Sequence, residues 1–282
     1  MKVGLLQFAP ELGRKENNIK KANEILKKFD LKKSDLDILI LPEMIFTGYT
    51  FKDKLEIQPL VEDENGDSVL WAKEISKLYN CFVQVGFPRK SKDGKLFNSV
   101  CIVDPNNLEV VLYDKHFLYS MDEVWAEEGS GFRSFEFDFF EFGKRIVALG
   151  ICMDINPYKF ESEFDKFEFS TFHVNFQTDY IFLSNAWVLK SLNNENDDFF
   201  IEEPLKPHFS TLEYWLIRLS PLIKSTKDTE KVIYCFISNR TGVEKKTIFC
   251  GSSCVFKFQS GKVSLMDSLN KTEENLLLVD IS

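Results

Sequence analysis

Apolar positions along this chain recur at two periods, and the switching between them predicts a layered α/β protein. Residues 2–8 form a short apolar run that reads as a first strand. From Lys15 to Phe29 the apolar positions Ile19, Ala22, Ile25, Leu26 and Phe29 share a helical face, with Lys and Asn between them. Leu36–Leu41 suits a strand buried on both faces, and it stops at Pro42-Glu43. A second helix is predicted over Ser68–Tyr79, where Val69, Ala72, Ile75 and Tyr79 align and Ser68 serves as N-cap. Cys81–Phe87, Phe97–Asp104 and Val110–Lys115 follow as strands, separated by turns at Asp93-Gly94 and Pro105-Asn106-Asn107.

Arg145–Ile151 is the next strand and leads directly to Cys152. The acidic, Phe-rich segment 159–176 fits either a helix or an irregular lid. Ile181–Ser184 reads as a strand, Asn193–Pro207 as a polar loop and 209–224 as mostly helix. Val232–Ser238, Ile248–Cys250 with Ser253–Phe258, and Leu276–Ile281 complete a β-rich end. With no linker, repeat or low-complexity tract, residues 1–282 are expected to form one domain. Local pattern implies mixed sheets covered by helices but does not fix the number of sheets.

Composition narrows the classes. The chain is 44% hydrophobic with 28 phenylalanines, which implies a thick aromatic core rather than disorder. Its net charge of -9 argues against a nucleic-acid partner, and no apolar run is long enough to cross a membrane. The start, M-K-V-G-L-L-Q-F-A-P, is too brief and too broken for a signal peptide and is better read as a strand. Six cysteines without Cys-x-x-Cys spacing then point to a reduced, cytoplasmic protein.

Three apolar strands end in a residue with chemistry: Leu39–Leu41 at Glu43, Val110–Tyr113 at Lys115, and Val147–Ile151 at Cys152. Taken singly, each has a plainer reading as a turn acid, a surface base or a core thiol. Together they fit nucleophilic catalysis, which needs a thiolate, a base to form it and a cation for an oxyanion. No residues show metal-ligand spacing, so neither metal nor cofactor is expected.

The motifs L-P-E-M at 41–44, Y-D-K-H-F at 113–117 and G-I-C-M-D at 150–154 resemble the Glu-Lys-Cys signature of the nitrilase (carbon–nitrogen hydrolase) superfamily. The opening strand, S-N-A-W at 184–187, N-R-T-G-V-E at 239–244 and the later G-S-S match it too. The resemblance implies an α/β fold, a four-layer α-β-β-α sandwich, and a second catalytic carboxylate shortly after the lysine. In related aliphatic amidases that segment ends in Glu-Gly-Trp, which points to Glu123 with Trp125 behind it; Glu127 and Glu128 are rivals. After the cysteine, Asp154-Ile155-Asn156-Pro157-Tyr158 replaces the commoner Asp-Arg-Phe-Pro-Glu. This variant is similar to protein N-terminal amidases, which deamidate N-terminal Asn and Gln of proteins and peptides in the N-degron pathway. The substrate pocket is then expected to draw on Met153, Asp154, Trp125, Glu127, Asn185, Trp187 and Tyr49, although Asp154 also reads as structural. Asp122, Glu127, Glu128 and the acids of Glu161–Glu168 are candidates for the substrate α-ammonium. The resemblance leaves a homodimer open. Other readings are a small-molecule amidase or carbamoylase of the same superfamily, or a non-catalytic scaffold of the same fold.

Overall fold

The computed structural model describes residues 1–191 and 205–281, so most of the loop expected at Asn193–Pro207 lies outside the described residues. The chain opens with β1 (Lys2–Gln7), α1 (Lys15–Lys27), β2 (Ile38–Ile40), α2 (Lys54–Ile57) and α3 (Asp67–Tyr79). It continues through β3 (Phe82–Lys90), β4 (Leu96–Val103), β5 (Val110–Asp114) and α4 (Ser120–Glu123). Next come β6 (Arg133–Asp138), β7 (Lys144–Ile151), α5 (Glu168–Asn175), β8 (Tyr180–Asn185) and β9 (Val188–Ser191). The rest holds α6 (Phe209–Arg218), α7 (Ser220–Ser225), β10 (Val232–Asn239) and β11 (Thr241–Glu244). β12 (Thr247–Cys250), β13 (Cys254–Gln259), β14 (Lys262–Ser268) and β15 (Asn275–Asp280) end it.

Two six-stranded sheets run in the orders β15-β1-β2-β3-β4-β5 and β14-β13-β10-β8-β7-β6. Each has three parallel strands at its centre, β1-β2-β3 in one and β7-β8-β10 in the other, flanked by antiparallel strands. The period-2 alternation of each strand explains the stacking. Val3, Ile38, Ile40 and Phe82 join Leu149, Phe182 and Phe236 in the core between the sheets. Leu39, Leu41, Val83 and Val85 face the other way, against Ala22 and Ile25 of α1 and Val69 and Ala72 of α3. On the far side, Ile181, Leu183 and Ile237 pack against Leu212 and Trp215 of α6 and Leu222 of α7. The result is helix, sheet, sheet, helix, the four layers implied by the sequence resemblance.

Some local expectations need correction. Helix α3 begins at Asp67 with Gly66 as its N-cap, so Ser68 lies in the first turn. There its N–H and hydroxyl both donate to Glu62, at 2.8 and 3.0 Å. The expected helix over 209–224 breaks at Leu219 into α6 and α7, because Pro221 has no N–H to continue the first ladder. The segment 159–176 resolves into two short turns, Tyr158–Phe160 and Phe164–Lys166, followed by α5. Among the described residues no helix is long and apolar enough to cross a membrane.

Candidate active site

The parallel strands at the centre of both sheets end on the same side of the molecule, where open α/β sheets commonly bind ligands. Glu43 follows β2, Lys115 follows β5 and Cys152 follows β7. Lys115 Nζ donates to Glu43 Oε1 at 2.7 Å and to Asp122 Oδ2 at 2.6 Å, with all three side chains fully buried. Asn98 of β4 bridges the carboxylates, donating from Nδ2 to Glu43 Oε1 at 2.6 Å and to Asp122 Oδ1 at 2.9 Å. The second Glu43 oxygen accepts the Ala186 N–H at 2.8 Å. Every carboxylate oxygen of the pair therefore has a donor, as burial of charge requires.

Cys152 has φ = +42°, a left-handed conformation that an L residue adopts only where its surroundings enforce it. Two side chains enforce it here. Asn185, at the end of β8, accepts the Cys152 N–H at 3.0 Å. Asp154 accepts the N–H of Ile151 at 2.8 Å and the Tyr113 hydroxyl at 2.9 Å with one oxygen. With the other it accepts the N–H of His116 at 3.1 Å and of Phe117 at 2.8 Å. Asp154 thus locks the turn carrying Cys152 to the segment carrying Lys115.

Burial raises the Cys152 thiol well above its ordinary value, and the Glu43 charge adds to this while Lys115 opposes it. Burial likewise raises the Glu43 carboxyl, with Lys115 again opposing. Burial pulls the Lys115 ammonium down, but Asp122 and Glu43 outweigh it and leave the lysine firmly protonated. The arrangement is a neutral thiol facing a carboxylate of elevated basicity beside a fixed cation. Such a set can take a proton from sulfur as sulfur attacks, and can hold negative charge on an oxygen.

Cys152 opens onto a cleft of about 380 Å³, whose walls include Tyr119, Asn156, Phe160, Trp187 and Tyr214. Asn156 Oδ1 accepts the Tyr214 hydroxyl at 2.7 Å. None of the described residues lining the cleft is acidic. Nor do any three His, Cys, Asp or Glu side chains group to hold a metal ion among the described residues.

A family model for carbon-nitrogen hydrolases matches residues 2–157. The chain belongs to the carbon–nitrogen hydrolase family. It is similar to a protein N-terminal amidase of Schizosaccharomyces pombe, at 35% identity over the whole chain and 99% of that protein. A protein N-terminal amidase of Saccharomyces cerevisiae is 35% identical over 67% of this chain and 45% of its own length. In fold, the chain resembles the crystal structure of an N-terminal amidase with an Asn-Glu-Ala peptide. That TM-score is 0.89 at 23% sequence identity, covering 100% of this chain and 97% of the other.

Within this carbon–nitrogen hydrolase site the sequence-derived residues separate into three groups. Glu43, Lys115 and Cys152 come together, with Met153 and Trp187 on the cleft wall and Asn185 behind the thiol. Tyr49, Asp154 and Trp125 lie in the supporting scaffold: Tyr49 donates to Asp122 Oδ2 at 3.1 Å, and Trp125 packs with Tyr49 and Ala186. Glu123 and Glu127 stand outside. Glu123 is half-exposed with Lys159 at 3.6 Å, and Glu127 pairs with Lys95 at 3.1 Å. The position expected for Glu123 is filled by Asp122, because one step along α4 turns the following side chain outward. Of the acids considered for an α-ammonium, Asp122 is spent on Lys115, Glu128 on the Tyr158 hydroxyl and Glu168 on Arg218. Sequence reasoning missed Asn98, although an Asn at an inward position of the apolar run L-F-N-S-V is itself a signal. It also missed Tyr119 and Tyr214, which line the cleft from the N-cap of α4 and from α6 and carry no local signal.

Proposed function

We propose that this carbon–nitrogen hydrolase removes the side-chain amide of N-terminal Asn and Gln in peptides and proteins, leaving Asp or Glu and releasing ammonia. The observation that carries the reading is Cys152 on a left-handed turn at the floor of an aromatic-walled cleft with no acid among its described lining residues, beside the buried Glu43–Lys115 pair. The full-length relationship to a protein N-terminal amidase supports the choice of substrate.

Glu43 takes the Cys152 proton as the sulfur attacks the amide carbon. Lys115 and the Met153 N–H hold the oxyanion. The proton then passes from Glu43 to the leaving nitrogen, ammonia departs and a thioester remains, which water activated by Glu43 hydrolyses. Two carboxylates about 4 Å apart repel by about 4 kcal/mol at an effective dielectric of 20, so Glu43 and Asp122 coexist only with Lys115 between them. Asp122 takes the part of second carboxylate, keeping Lys115 charged and in place.

The described walls of the cleft supply Asn156, whose amide oxygen also accepts the Tyr214 hydroxyl, and the side chains of Tyr119, Trp187 and Phe160. Among the described lining residues, a neutral acceptor and ring faces are the groups suited to an ammonium. The working location is an intracellular, reducing compartment, and the chain acts as one hydrolase domain. Mass spectrometry of peptides beginning with Asn, Gln or acetylated Asn tests this. The free termini gain the mass expected when an amide becomes an acid, and the capped peptide does not. Equal turnover of the capped peptide overturns the terminal specificity in favour of a general amidase.

A further inference from the structure

A second buried ion pair lies near the cluster, and neither of its members is among the described residues that line the cleft. Arg240, just past β10, donates from Nη1 to Glu244 Oε2 at 2.6 Å, with side chains 0% and 2% exposed. The guanidinium carbon lies 3.9 Å from the centroid of the Phe249 ring. Its Nε and Nη2 meet no hydrogen-bond acceptor among the described residues. A buried pair of this kind is a poor source of stability, since hydrophobic residues of similar volume commonly do as well.

Both members are tied to the reacting groups. The Arg240 N–H donates to the Asn185 carbonyl at 3.1 Å, and the Asn185 side chain accepts the Cys152 N–H at 3.0 Å. Glu244 Oε1 accepts the N–H groups of Tyr49 and Thr50. Tyr49 in turn donates to Asp122 at 3.1 Å, and its ring centroid lies 5.7 Å from Lys115 Nζ. The turn is moulded onto this carboxylate: Gly48 has φ = +81°, and a Cβ there would lie 2.8 Å from Glu244 Oε2. Burial lowers the Arg240 guanidinium from its ordinary value, and the charges of Glu244 and, to a lesser degree, Glu43 oppose this.

We propose that Arg240 and Glu244 are positioning residues for the hydrolysis: the pair joins the turn after β2 to the strand ends behind Cys152, and places a balanced cation near Glu43. This rests on the reading of Glu43 and Cys152 as base and nucleophile. Glu43 hydrogen-bonds Lys115 from the end of β5 and interacts through charge with Asp122 from α4, Cys152 from the end of β7, Tyr49 from its own turn, and Arg240.

Glu244→Gln keeps an acceptor for Tyr49 and Thr50 but leaves the Arg240 cation unbalanced, which favours ionised Glu43. Adding Arg240→Met removes that cation, and this double variant replaces the buried pair by groups that fold without a counter-charge. The readout is the pH dependence of Cys152 alkylation by iodoacetamide, which needs no peptide substrate and so separates this inference from the substrate assignment. The acidic limb should move to lower pH in Glu244→Gln and to higher pH in the double variant. Where Glu244→Gln does not fold, the upward shift in the double variant alone decides. On peptide substrate, kcat should fall roughly tenfold in either variant with KM within about twofold, as for a displaced catalytic group remote from the bound substrate. A limb that stays at the wild-type pH in the folded double variant, or moves the same way in both variants, overturns the proposal.

Discussion

A step of one residue along α4 turns a side chain by about 100°, and that step separates two acids with different fates. Asp122 is fully buried against Lys115, whereas Glu123 faces solvent and Lys159. Asp122→Asn is expected to cut kcat by about a hundredfold, because it removes charge that holds the buried ammonium in place. Glu123→Gln should leave kcat within about twofold, as expected for a surface acid. Equal effects would place the second carboxylate elsewhere. As the proposed base, Glu43 should set the pH dependence. Burial raises its carboxyl from the ordinary 4.5 despite Lys115, so its basic form should be lost at a higher pH than that of an ordinary glutamate. Activity is therefore full at higher pH and lost as pH falls, with the acidic limb of kcat/KM at a pH above 4.5. Selective labelling follows from exposure: Cys152 is 8% exposed and the other five cysteines 0%, so iodoacetamide should modify Cys152 first.

At the scale of elements, strands that alternate cleanly or run wholly apolar were legible in the sequence, and so were Glu43, Lys115 and Cys152 at their ends, which the structure brings together. β2, β4, β7, β8 and β10 all appear within a few residues of their expected places. β6 and β14 escaped because they are edge strands with much exposed surface, so no apolar face marks them. β9 and β11 belong to a small three-stranded sheet whose register is set by the tertiary contact with β12. The exchange of Glu123 for Asp122 was hidden for a related reason: spacing in sequence counts residues, whereas the site selects a direction around a helix. The link between β5 and the Cys152 turn was likewise visible only as an aspartate. Tyr113→Phe deletes one buried bond to the Asp154 carboxylate and should cost about 1.5 to 3 kcal/mol, read as a lower denaturant midpoint at unchanged slope.

At the scale of the molecule, the site exists only when the two sheets are stacked, since Glu43 and Lys115 come from one and Cys152 and Asn185 from the other. Loss of the sandwich and loss of activity should coincide. His173 gives this assembly an acid-sensitive point. It is buried in α5 with ring centroids of Phe169 and Phe172 at 4.4 and 5.0 Å, and burial lowers its imidazole from 6.5 to about 3. The unfolded chain binds the proton first, so this contribution is fully present above pH 6.5 and is lost as pH falls toward 3. The loss is about 1.4 kcal/mol per pH unit within that window. Replacing His173 by Leu should flatten the acid side of the stability curve, measured as denaturant midpoint against pH. An unchanged curve would place the acid sensitivity in other groups.

The central claim is that Cys152, poised over Glu43 and Lys115, performs the deamidation of an N-terminal Asn or Gln. Ammonia release from an Asn-initiated peptide by folded Cys152→Ala protein tests it most directly. The account predicts no release above the uncatalysed background, while release at the wild-type rate would contradict it.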